Sequence, residues 1–292
     1  MRSTVRRRVT VGVAGALALG LLAAARPAAI ERQPGEIVLT EAEQADVLRG
    51  ADVNERGRLA AIFRDDTGYL PVAYTRAYYQ VTVSPDGGTT VTEVGASRRS
   101  PGSNLRLPLL DTAASSGSTG RYDLYASVGI ARLSGPGYRW VIASYFKWNG
   151  SNSIDACNLN EDSIAAAWAG GLSLYSDAYY GYYHRFGNIT SPLDIYRSDV
   201  APNLGVGWSF HELKQRGSQI CTSVNWGEGD AYISEPSWQF KTSNVTMKYV
   251  HTKASTSYSL GFGLPGGVSP SISVSPADGN QWSTAAYATF NH

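Results

Sequence analysis

From Tyr69 onward, apolar and polar residues alternate with a period of two, and the runs are cut by Gly, Pro, Ser and Asp. That is the pattern of strands with one buried face, joined by tight turns. Val72–Val83 and Thr89–Val94 flank Ser84-Pro85-Asp86-Gly87-Gly88. Proline presets one turn dihedral and glycine supplies a positive φ, so a hairpin is predicted there. Ala96 to Asn104 reads as a loop and Leu105–Leu110 as a short strand. Residues 113–120 (Ala-Ala-Ser-Ser-Gly-Ser-Thr-Gly) read as a flexible connector, the place to look for a domain boundary.

The strongest pattern follows. Tyr122, Leu124, Ala126, Val128 and Ile130 alternate along one strand, and Ser134-Gly135-Pro136-Gly137 turns the chain. On the return strand Trp140, Ile142, Phe146 and Trp148 share one face, with Arg139, Val141, Tyr145 and Lys147 on the other. That many aromatics on one face predict a core between two sheets. Ile164–Tyr175 is ambiguous: Ala165-Ala166-Ala167 favours helix, whereas Gly170-Gly171-Leu172-Ser173-Leu174-Tyr175 favours strand. Ser176-Asp177 reads as a turn into Ala178–Phe186. In an extended chain, that run sets Tyr180, Tyr182 and His184 on one face and Tyr179, Gly181 and Tyr183 on the other.

Leu204–Leu213, Gln219–Trp226, Ala231–Ser234 and Trp238–Lys241 read as further strands. So do parts of Val245–Leu264, Ser269–Val274 and Trp282–Phe290. Twelve to fourteen strands predict an all-β fold, a two-sheet sandwich or jelly roll over residues 67–292. Residues 30–66 differ, being charged and helical in pattern. Thr40 and Glu43 have capping-box spacing ahead of Glu41–Leu48, and a second helix begins near Asn54 with Leu59, Ile62 and Phe63 on one face. This segment reads as a cover on the sandwich, with a propeptide or a stalk as the other readings.

Residues 1–29 carry Arg2, Arg6, Arg7 and Arg8 before an apolar run from Val9 to Ala25, with small residues at Ala23, Ala25, Ala28 and Ala29. That is the form of a secretory signal peptide, and the paired arginines leave a twin-arginine route open. The apolar run is short and broken by glycine, which argues against an uncleaved anchor. The expected location is secreted, extracellular or cell-surface, with no stable membrane span once the leader is removed. Removal also changes the charge. The leader holds five arginines and no acid, so 25 basic against 24 acidic residues becomes 20 against 24. A mildly acidic chain lacks the clustered positive charge that nucleic-acid binding needs. In an exported chain the only two cysteines, Cys157 and Cys221, read as a disulfide. It would close a loop of about 65 residues and stabilise the fold by roughly 4 kcal/mol in the chain-entropy treatment.

Chemical motifs are weak. His211-Glu212-Leu213-Lys214-Gln215 begins like a zinc-protease helix, but Gln215 stands where the second imidazole belongs. Gly207-Trp208-Ser209-Phe210-His211 lacks the closing glycine of a nucleophile elbow. Gly261-Phe262-Gly263-Leu264-Pro265-Gly266 spells a dinucleotide fingerprint, yet Gly267 and Pro270 prevent the helix it requires. Asn158, Asn160, Glu161 and Asp162 form an oxygen-rich group that reads first as a solvated loop; joined by Asp155 and a Gly227-Glu228-Gly229-Asp230 loop, it could hold a structural Ca²⁺ with Asp155, Asn158, Asn160 and Asp162 as ligands. No catalytic residue is assigned. A carboxylate pair or a serine triad built on His184 or His211 is unconstrained by the sequence.

Tyrosine is the most usable feature, since it offers a flat apolar face and a hydroxyl for sugar or protein contact. Tyr180, Tyr182, His184, Tyr196 and Trp208 are the expected binding residues. The leading expectation is a secreted, non-enzymatic protein whose Tyr/Trp-rich sheet surface binds an extracellular glycan or protein. An extracellular hydrolase of glycans or esters is second. A β-pore-forming toxin, from the Ser/Thr-alternating stretch Val245–Val274, is third.

Overall fold

The computed structural model describes residues 30–33, 35–62, 68–84, 88–99, 121–149, 160–185, 189–215, 221–239, 241–252, 258–267, 269–275 and 281–292. The leader, the 113–120 connector, and Cys157 with its expected link to Cys221 therefore lie outside the described residues. Among those described, no helix is long and apolar enough to cross a membrane.

The fold is all-β with a short helical segment at its N-terminal side. Helix α1 (Glu41–Gly50) starts where its capping box demands: Glu43 N–H donates to Thr40 Oγ1 at 3.3 Å, and Thr40 N–H donates to Glu43 Oε2 at 2.8 Å. Helix α2 (Val53–Ile62) follows at once. Six long strands make most of the larger sheet: β1 (Tyr69–Val83), β2 (Thr89–Arg99), β3 (Arg121–Leu133), β4 (Tyr138–Asn149), β6 (Ser173–Tyr183) and β10 (Cys221–Glu235). They run in the order β2-β1-β3-β4-β10-β6, with β9 (Leu213–Gln215) also on β10. The second sheet runs β14-β11-β5-β8-β7, from β5 (Glu161–Trp168), β7 (Ile195–Ala201), β8 (Gly205–His211), β11 (Thr242–Thr252) and β14 (Gln281–Asn291). A hairpin of β12 (Ser259–Gly263) and β13 (Ser271–Ser275) stands apart from both sheets. All pairings are antiparallel.

The two sheets bury one continuous apolar core. Leu124, Val128, Ile130, Trp140, Phe146 and Trp148 from the larger sheet meet Ile164, Trp168, Trp208, Phe210, Met247 and Tyr249 from the smaller. Phe146 and Phe210 stack across the interface with ring centres 5.4 Å apart and planes 5° from parallel. The predicted inward set on β3 and β4 is the observed one from Leu124 onward, the side chain of Tyr122 lying outside those described.

Trp238, Gln239 and Lys241, expected on a strand, lie between β10 and β11 in neither, and four further expectations change. Ala96–Arg99 continues β2 instead of looping, because β1 is long enough to pair with it from Tyr74 to Val83. Ala165-Ala166-Ala167 is strand: Ala166 faces the core, while Ala165 and Ala167 pack under the β12–β13 hairpin. Ser176-Asp177 is no turn, since both residues pair with β10 inside β6.

Fourth, Gly227-Glu228-Gly229-Asp230 is no loop but the centre of β10, where it pairs with β4 and β6. Its alternation is the reason. A Cβ on Gly229 would lie 2.2 Å from the Trp208 ring, and one on Gly227 would lie 2.6 Å from Phe146. The glycines therefore admit the core aromatics, while the two acids point to the opposite face.

Candidate binding face and two buried polar clusters

The outer face of the larger sheet carries a row of aromatic rings that crosses five adjacent strands. Tyr78 on β1 lies 5.9 Å from Tyr125 on β3, which lies 5.8 Å from Tyr145 on β4. Tyr145 stacks on Trp226 of β10 at 5.7 Å, and Tyr180 and Tyr182 of β6 flank that indole at 5.5 and 5.4 Å. Register makes the row: Tyr78 pairs with Tyr125, and Trp226 pairs with Tyr182. Tyr125, Tyr145 and Trp226 are buried, Tyr78 and Tyr180 half-buried, and Tyr182 exposed. The row thus opens to solvent at β6.

The N-terminal segment is held over this sheet by an apolar cluster, in which Val47, Leu59 and Ile62 pack with Tyr74, Ala131 and Val141, and by polar contacts. Asp52, between the helices, accepts from the hydroxyls of Tyr125 and Tyr145, the latter at 2.9 Å. Glu55 of α2 is buried and accepts from Tyr74 Oη at 2.6 Å, Ser127 Oγ at 2.5 Å and Arg76 Nη2 at 2.6 Å. Arg58 of α2 reaches Glu228 at 2.7 Å and pairs with Asp230, and Tyr180 donates to Glu228 at 2.5 Å. Further along, Arg132 of β3 pairs with Glu36.

Burial shifts the titrations here. It raises the Glu228 carboxyl above its ordinary value, against the opposing pull of Arg58 and Tyr180. The Tyr145 and Tyr180 hydroxyls are pushed upward by burial and by their carboxylate partners. For Arg58, burial is the largest single effect and acts to lower the pKa, but Glu228, Tyr180 and Tyr232 together outweigh it and the net shift is upward.

The expected binding residues divide between places. Tyr180 and Tyr182 share the outer face, as predicted, and end the aromatic row. His184 follows β6, half-buried, with its N–H donating to Ser223 O at 2.8 Å. Tyr196 is exposed on β7, an edge of the other sheet; it donates to Glu161 at 2.7 Å, and burial first and this carboxylate second push its pKa up to about 12. Trp208 is not on any surface. It is fully buried between the sheets, with Nε1 donating to Asp177 at 2.9 Å. Its removal from the platform is a correction forced by β8 burying the face that carries it. Sequence reasoning did not group Tyr78, Tyr125 and Trp226 with the β6 tyrosines, because only the strand register aligns them.

The oxygen-rich group also divides. Asp155 and Asn158 lie outside the described residues, and Asn160 is buried just ahead of β5. Asp162 points inward, where it meets Glu212 and His251, all three buried and with potential ligand atoms within 4.8 Å of one another. His251 Nδ1 lies 3.1 Å from Asp162 Oδ1 and 3.7 Å from Glu212 Oε2. Tyr249 donates its hydroxyl to Asp162, and Thr252 N–H donates to the same carboxylate at 3.2 Å. Glu212, singled out in a failed zinc-protease pattern, thus sits beside a histidine distant in sequence.

A second cluster has triad form. His292 Nδ1 is 2.6 Å from Glu235 Oε2, and its Nε2 is 2.7 Å from Ser243 Oγ. Neither His184 nor His211 takes part. The Ser243 hydroxyl is fully buried and donates to Ala169 O at 2.9 Å. A nucleophile sealed from substrate, with its proton directed to a carbonyl, cannot attack. The cluster instead fastens the last residue, whose backbone pairs with Lys241 at 2.9 Å in both directions. No protein-family model matches the chain, and no curated protein matches it in sequence.

Proposed function

We propose that this chain is a secreted, non-enzymatic binding protein that presents the β6 end of this aromatic row to an extracellular glycan. One observation carries the reading: the row, buried at its centre under the N-terminal segment, reaches the surface at Tyr182 with Tyr180 half-buried beside it. Pyranose faces stack on such rings, and the exposed tyrosines of β6 carry a hydroxyl beside the apolar face. Export rests on the leader pattern, and the Cys157–Cys221 disulfide is proposed with it. Retention of the purified protein on a panel of insoluble polysaccharides tests the reading. Tyr182→Ala should weaken retention about tenfold, roughly 1.4 kcal/mol, with the fold unchanged by circular dichroism. Retention by no polymer, or equal retention of the variant, would end the glycan reading.

A hydrolytic reading has one observation in its favour. Glu228 and Asp230 project from the same face of β10 beside the row, and burial raises Glu228 as a general acid requires. Arg58 pairs with both, so turnover on this reading needs the helical segment to leave.

A further inference from the structure

We infer that Asp162, Glu212 and His251 bind one first-row divalent cation, with Zn²⁺ the best match, between the two sheets and apart from the aromatic face. The three donors come from three places that the fold fixes independently. Asp162 lies on β5, His251 on β11, and Glu212 in the step between β8 and β9. The ladder pairs Ser163 with Val250 and Glu161 with His211, so it holds these positions together before any ion arrives.

The separations fit a shared ion. Ligands about 2.0–2.2 Å from a tetrahedral centre stand roughly 3.3–3.6 Å from one another. The observed spacings from His251 Nδ1 are 3.1 Å to Asp162 and 3.7 Å to Glu212. The first is also a hydrogen-bond distance and the second an ion-pair distance, and a cation bound here would take the place of the imidazole proton between these donors.

Two carboxylates and one imidazole also select the ion. Nitrogen and oxygen donors together suit Zn²⁺ and its neighbours, whereas Ca²⁺ takes six to eight oxygens. Ordered contacts stand behind the donors, as ligands require. The Tyr249 hydroxyl and Thr252 N–H orient Asp162, and Trp282 lies with its ring centre 4.9 Å from that of His251. Full burial makes this a closed, structural site. Its ion would join two strands of the smaller sheet to the start of the crossing toward the larger one.

The test uses the full chain, ZnCl₂ alone as the probe, elemental analysis and thermal unfolding. Wild type should hold one equivalent of zinc. It should lose thermal stability on chelation and regain it with ZnCl₂, the unfolding constant falling about 100-fold once free Zn²⁺ is 100 times Kd. Glu212→Gln and Asp162→Asn, close in shape to the parent residues, should fold by circular dichroism yet lose both the bound zinc and the shift. Glu93→Gln, on the outermost strand β2 of the larger sheet, should keep both. Folded wild type without zinc and without a ZnCl₂ response would overturn the inference. So would an unchanged response in Glu212→Gln, or a response to CaCl₂ alone.

Discussion

The two faces of β10 are held in place by opposite means. Inward, Gly227 and Gly229 lack side chains so that Phe146 and Trp208 can fill the space between the sheets. Outward, Glu228 and Asp230 take charge partners from α2. The inner contact is apolar and gains from every area removed from water. The ionic part of the outer contact gains little net energy, because each buried ion must first lose its hydration, and the apolar part rests on Leu59 and Ile62 against the sheet. The ionic part is specific, however: Glu55 meets Arg76, Tyr74 and Ser127 in one arrangement and no shifted one. The core therefore holds the sandwich together, and the polar seam sets where the helical segment lies.

That contrast is open to attack from its strongest side first. Trp208→Ala removes a fully buried indole and its bond to Asp177, and should cost about 3–5 kcal/mol in urea unfolding. Every probe should report the loss, because the whole sandwich shares this core. Next, Glu55→Ala should cost about 3 kcal/mol by leaving Arg76 buried and uncompensated, while adding Arg76→Met should restore much of it. Hydrogen exchange should show the faster opening in α1 and α2, ahead of the sheets. If the sheets open equally, the seam and the core are one cooperative unit and the contrast fails.

The smallest effect is a pH slope. Glu228 has its carboxyl raised above the ordinary value of 4.5, so the folded chain holds its proton where the unfolded chain has released it. Stability then falls as pH rises from about 4.5 through the raised folded value. Glu228→Gln cannot release a proton and should flatten that part of the stability profile. An equal slope in both proteins would show that burial of Glu228 carries no such linkage.

Much of the fold was legible from side-chain order. Alternation on β3 and β4 named the inward aromatics, Thr40 and Glu43 marked the start of α1, and the tyrosines of β6 fell on the predicted faces. The errors lie where alternation is silent. Gly227-Glu228-Gly229-Asp230 has the composition of a loop, and only the rings opposite the glycines reveal a strand. Trp208 was placed on a surface because one strand's period distinguishes two faces without saying which is buried. β7 carries Tyr196, Arg197, Ser198 and Asp199 in succession and has no apolar period to betray it.

Local order thus determined the class of this protein, because strand period, turn dihedrals and helix caps depend on neighbours a few residues apart. Tertiary structure alone decided the sites. The aromatic row exists through the register of five strands, and Asp162, Glu212 and His251 meet because two ladders and a crossing bring distant positions within a few ångströms. Such distances depend on pairings across the whole chain, and no local stretch of residues contains them.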